Sequence, residues 1–161
     1  MRQPVSSAAM GKQLQPVIAS LQHAMGDHLV ALVLFGSRAR NDARPDSDWD
    51  LLLIADNLPP HVFSRHAAIK HLIPVDWRGR VAVVAKTPAE FESYLPALVL
   101  DIAVDGLVLH DTDGYMAKRL AYVRRLLTEQ GLYREQRGAE FIWRWQTFPG
   151  YNWNLTWQGA A

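Results

Sequence analysis

FGSRARNDARPDSDWDLLLI, residues Phe35 to Ile54, decides how this chain is read: a glycine-serine step, a polar linker, and two aspartates entering an apolar run. The apolar residues Leu29 to Phe35 precede it and predict a strand, so Gly36 and Ser37 leave that strand where a missing Cβ lets the backbone approach a ligand. Asp48 and Asp50 flank Trp49. Strand side chains alternate, so both carboxylates share one face and the indole turns to the other, toward a core. Paired carboxylates beside a glycine-serine step suit phosphoryl or nucleotidyl transfer, because magnesium takes oxygen ligands from one or two carboxylates and substrate phosphates. In that reading Gly36 and Ser37 cradle phosphates, Arg38 and Arg40 add charge-assisted contacts, and Asp48 and Asp50 hold the metal.

Working outward, Leu14, Val17, Ile18, Leu21 and Met25 recur at helical offsets and predict one packing helix over 11–26, stopped by Gly26. The run Leu29 to Phe35 lacks the alternation of a one-sided sheet, which predicts helices on both faces. Ser37 to Asn41 is expected to be a short helix, Asn41 to Ser47 a turn, and Asp50 to Ala55 a second strand. A weakly periodic helix through Val62, Ile69 and Ile73 leads to a third strand, Val81 to Ala85. Thr87, Pro88 and Glu90 spell a capping box that opens the next helix. Pro96 interrupts it, a second piece closes at Gly106, and a short strand Leu107 to Leu109 follows. A long helix then carries Met116, Leu120, Val123 and Leu127 on one face and ends at Gly131.

The tail from Phe141 to Trp157 concentrates aromatic residues that must bury most of their surface, either folded back over the domain or at an interface. We expect a domain over 1–130 with 131–161 as an aromatic-rich extension packed on it. A length of 161 residues suits one domain, and a formal net charge of +1 gives no global argument for a nucleic-acid or membrane partner. The absence of cysteine excludes disulfides, zinc-thiolate sites and thiol catalysis and is compatible with the cytoplasm. No signal-peptide core or membrane-length run is evident, so a soluble, cytoplasmic protein is expected.

Gly36-Ser37, ten residues, then Asp48-Trp49-Asp50 resembles the signature of the DNA polymerase beta-like nucleotidyltransferases, specifically the minimal nucleotidyltransferases. The stretch TPAEFESYLPALVLDIAVDGLVLHD, residues 87–111, extends the resemblance, which covers most of 29–125. It implies an α/β fold with a mixed β-sheet flanked by helices, like the polymerase beta palm. It also implies two magnesium ions and transfer of a nucleoside monophosphate, most plausibly AMP from ATP, to a protein or small-molecule hydroxyl. Asp48 and Asp50 would be the catalytic metal ligands, and Gly36 and Ser37 would bind the triphosphate. Many relatives are antitoxins that adenylylate a helical HEPN toxin on tyrosine, which implies a HEPN-type partner here.

Two residues depart from the family pattern. Ala82 stands by spacing where the family carries a third carboxylate, leaving Asp76 as the upstream acid that could substitute, and Asn41 replaces a frequent glycine. A lost general base typically slows transfer by about 100 to 10,000-fold. The alternative expectation is therefore a slow or inactive member that binds nucleotide or a partner.

Overall fold

Strand β1 (Leu29–Phe35) and strand β2 (Trp49–Ala55) pair antiparallel, built from the two apolar runs that bracket the glycine-serine step. The structure, a computed structural model, describes residues 7–160, so the reading of the first six residues lies outside it. Helix α4 (Val62–Leu72) carries the chain from β2 to β3 (Val81–Lys86), which pairs parallel to β2. Strand β4 (Leu107–Asp111) adds antiparallel to the other side of β1, giving the order β3-β2-β1-β4. This is the expected mixed sheet.

Both faces of the sheet are covered, as the uninterrupted apolar strands require. On one, Val17, Ile18 and Leu21 of helix α2 (Gln15–Met25) and Ile69 of α4 pack on Leu32, Leu34, Leu51 and Leu53. On the other, Phe91 of α5 (Pro88–Phe91), Ile102 of α6 (Ala97–Asp105) and Met116, Leu120 and Val123 of α7 (Tyr115–Gln130) pack on Val33, Leu52 and Ile54.

One expectation is corrected. The single helix over 11–26 is two helices, α1 (Ser7–Gln13) and α2, because Pro16 sits in the first turn of α2, where its missing N–H costs nothing, and restarts the helix there. Leu14 at the break is nevertheless fully buried. Within the aromatic-rich extension, Leu132–Arg137 and Glu140–Trp145 form strands β5 and β6 of a hairpin, turned at Gly138 with φ of +61°. Its aromatic surface divides. Trp157 packs against Phe91 and Tyr122, with ring centroids 5.3 and 5.9 Å away, while Phe148, Tyr151 and Trp153 stay exposed.

Ionic contacts anchor the hairpin to α6. Arg134 reaches Asp101 at 3.1 Å and Asp105 at 2.7 Å, and the Trp143 indole donates to the same Asp101 oxygen. Both acids lie on α6, Asp105 as its last residue.

The capping box forms as read. Glu90 N–H donates to the Thr87 hydroxyl, and Thr87 N–H donates to the Glu90 carboxylate, which also takes a two-pronged bond from Arg65 at 2.7 and 2.9 Å. The Arg65 hydrogen bonds, then the Thr87 amide, hold the Glu90 carboxyl down at about 2, against an ordinary 4.5. A depressed carboxyl stabilises the fold above its ordinary value, and that stabilisation is lost as pH falls through the depressed one. With the Glu90 side chain 43% exposed, solvent screening limits the effect to about 1 kcal/mol. Glu90→Gln should therefore lose up to about 1 kcal/mol in urea unfolding at pH 7. The gap to the parent should close as pH falls from 4.5 to about 2.

Candidate functional site

Antiparallel pairing sets Phe35, the last residue of β1, opposite Asp50 at the start of β2. The next residue, Gly36, therefore lies against the Asp50 carboxylate. Its φ is +73°, and a Cβ there would stand 2.4 Å from Asp50 Oδ2, nearer than real Cβ contacts come. Glycine is required on two counts, conformation and space.

Asp48 is exposed and Asp50 half-buried. Burial pushes the Asp50 carboxyl up from its ordinary value and the charge of Asp48 pushes it further, while Arg40 opposes both. Two carboxylates that repel each other beside a glycine, with no sulfur or imidazole between them, form an oxygen-only donor set suited to a hard divalent cation. Trp49 alternates to the opposite face and is 3% exposed, as its position between the aspartates requires.

The two arginines part company. Arg38 donates to the Ser47 carbonyl at 2.7 Å and the Pro45 carbonyl at 3.2 Å and lies over the Trp49 ring at 4.7 Å. Its guanidinium ties down the 41–48 loop on the Trp49 side of the sheet. Arg40 pairs with Asp42 at 3.0 Å and remains close enough to Asp50 to lower its pKa. The short helix α3 (Gly36–Arg40) that carries both ends at Asn41, whose left-handed φ of 62° does the work a glycine would do.

Strand pairing places Ala82 of β3 directly beside Asp50, so the position where a third acid would stand holds a methyl group. Asp76 lies in a turn, Val75–Trp77, ahead of β3, and among the described residues no three His, Cys, Asp or Glu side chains are grouped so as to hold a metal ion. The neighbouring Trp77 sits edge-on against Trp49, 6.0 Å between centroids, on the face away from Asp50.

One contributor has no counterpart in the sequence reading. Phe141 of β6 is held between Arg40, 4.9 Å from its ring centre, and Arg134, 4.2 Å away, so the hairpin reaches the cation nearest Asp50. The alternation of Phe141, Trp143 and Trp145 was the available signal, a period of two.

Residues 17–85, from α2 to the end of β3, match the family described as Polymerase beta, Nucleotidyltransferase. That segment holds the glycine-serine step and both aspartates. MJ1305 of Methanocaldococcus jannaschii, provisionally named a protein adenylyltransferase, is 38% identical over 60 residues, or 37% of this chain. The match spans 41% of that relative's length, less than half of it. Similar solved structures include a provisionally named nucleotidyltransferase from Sulfolobus solfataricus, 20% identical over 66% of this chain and 85% of that one, TM-score 0.47. A toxin-antitoxin solved with AMP-PNP is 18% identical over 71% of this chain and 90% of its own, TM-score 0.48. The complex of a tri-AMPylated Shewanella oneidensis HEPN toxin with its MNT antitoxin is 18% identical over 75% and 92%, TM-score 0.47.

Gly36→Ala should destabilise the chain by about 1–2 kcal/mol from the left-handed backbone alone, with a further loss from displacing Asp50, as read by chemical unfolding. Asp50→Asn should do the reverse in the absence of divalent metal. A raised carboxyl pKa means the ionised form opposes folding, so the variant should gain stability at pH 7 and the gain should vanish as pH falls through the carboxylate range.

Proposed function

We propose that the chain is a metal-dependent nucleotidyltransferase that moves a nucleoside monophosphate, AMP in the preferred reading, from a nucleoside triphosphate to a hydroxyl. The observation that carries the reading is the contact of Asp50 with Gly36 inside a segment that matches the family. In this reading Asp48 and Asp50 hold magnesium, and the backbone of Gly36 and Ser37 receives the triphosphate where no Cβ intervenes. Magnesium, when bound, neutralises charge that develops on the phosphates. Arg40 balances the acid pair and faces the phosphates, while Arg38 keeps the Asp48 loop in place. The acceptor hydroxyl attacks the α-phosphorus, the α–β bridge breaks, and pyrophosphate leaves.

The choice of AMP and of a protein acceptor follows MJ1305, whose name is that of a protein adenylyltransferase. A HEPN-type toxin as the acceptor follows from the resemblance of the Gly36–Asp50 motif to minimal nucleotidyltransferases. A second reading, a slow or inactive member that holds nucleotide or a partner, is favoured by one observation: Ala82 offers no base beside Asp50.

Labelled ATP with magnesium and a HEPN-type acceptor separates the two readings. Transfer of label that falls at least about 100-fold in Asp48→Ala and in Asp50→Ala supports the enzyme. Nucleotide binding by calorimetry without transfer supports the second reading, and an unchanged rate in both variants removes the pair from the mechanism. Restoring an acid with Ala82→Asp should raise the rate, by up to about 100-fold.

A further inference from the structure

Away from the aspartates, the far side of β3 carries a feature that nucleotidyl transfer does not use. β3 is an edge strand: β2 is its neighbour on one side, and no described strand pairs with the other. Natural edges are protected by proline, bulges or inward charges. Val81-Ala82-Val83-Val84-Ala85-Lys86 has no proline, and its six residues pair with β2 in unbroken register. Beside this edge runs a groove of about 510 Å³ between β3, α4 and the Tyr94 segment. Ile69, Ile73, Val81 and Val83 form its apolar floor. The apolar surface continues outward at the start of α4, where Val62 is 76% and Phe63 90% exposed.

The groove's rim is cationic. Lys70, Arg78 and Lys86 line it, and none of the ion pairs among the described residues engages them. Glu90, the acid at this rim, is taken up by Arg65. Arg78 spends its donors on the carbonyls of Ile73 and His71, which fixes its position and leaves its charge. Lys86 lies over the Tyr94 ring at 5.5 Å. An edge without a strand partner supplies main-chain hydrogen bonds, the Ala85 carbonyl alone being already taken by Arg65 at 3.2 Å, an apolar floor accepts alternate side chains, and a cationic rim selects for acids.

We propose that the free edge of β3 is a docking site for an acidic, extended segment of a partner protein, which adds as a further strand and buries alternate apolar side chains in the groove. Charge decides against the other occupants. A symmetric edge-to-edge pair of this chain would set Lys70, Arg78 and Lys86 of one copy against the same cations of the other. The chain's own first six residues carry Arg2 and Pro4 and no acid. This inference stands apart from nucleotidyl transfer, since it uses none of Gly36, Asp48 and Asp50.

The test uses the whole chain and blocked octapeptides that alternate valine with glutamate, glutamine or lysine, followed by amide chemical shifts. The glutamate peptide should shift the amides of residues 81–86 and bind at least about tenfold more tightly than the lysine peptide. N-methylation of alternate peptide bonds along the pairing edge should weaken it by a similar factor, and Lys70→Glu with Lys86→Glu should reverse the charge preference while leaving shifts elsewhere unchanged. Equal binding of the N-methylated peptide, equal binding of all three charge types, or no shift in β3 at millimolar peptide would each overturn the proposal. So would concentration-dependent shifts of β3 without peptide, which would assign the edge to a second copy.

Discussion

The contact between Gly36 and Asp50 is the constraint from which the candidate site follows. A residue with a Cβ at 36 would stand 2.4 Å from the carboxylate oxygen, so the backbone closes on Asp50 only because glycine is there. That closeness half-buries an acid and raises its pKa, a charge held where folding alone would remove it. Natural chains keep such arrangements where a ligand offsets the cost, and a divalent cation between Asp48 and Asp50 would do so.

The sheet exists to hold this contact in register. β1 and β2 are antiparallel and buried on both faces, so a one-residue slip would turn Asp50 into the α2 face and expose Leu51 or Leu52 to the wrong side. Arg38 adds a local lock, joining the loop carbonyls of Pro45 and Ser47 to the Trp49 ring and so fixing where Asp48 emerges. Loop and strand are thus tied through the face opposite the acids. The arginine that remains with the acids is Arg40, and its position depends in turn on Phe141 and the hairpin.

Two parts of the molecule bear on how that site could work. Ala82 beside Asp50 leaves the acid pair without a third carboxylate, so any proton taken from an acceptor must go elsewhere than to β3. The hairpin lies outside the segment matched to the family, yet its Arg134 binds Asp101 and Asp105 of α6 and its Phe141 reaches Arg40. Packing has joined a later part of the chain to the matched segment at the point where charge is balanced.

What the amino-acid sequence determined by itself is local. Apolar runs chose β1 and β2, the Thr87–Glu90 box started α5, Asn41 closed α3, and the spacing of Gly36, Ser37, Asp48 and Asp50 marked the candidate site, because each depends on neighbours a few residues away. Tertiary structure decided whatever depends on which strands and rings meet. It tied Arg38 to the loop carbonyls, set Trp77 against Trp49, made Asp101 and Asp105 anchors for Arg134, and left β3 at an edge. A long arginine reaches partners in several directions with little difference in local energy, and an edge is defined only by the strand that is not there. Both are settled by packing across the whole chain, which periodicity along the chain does not encode.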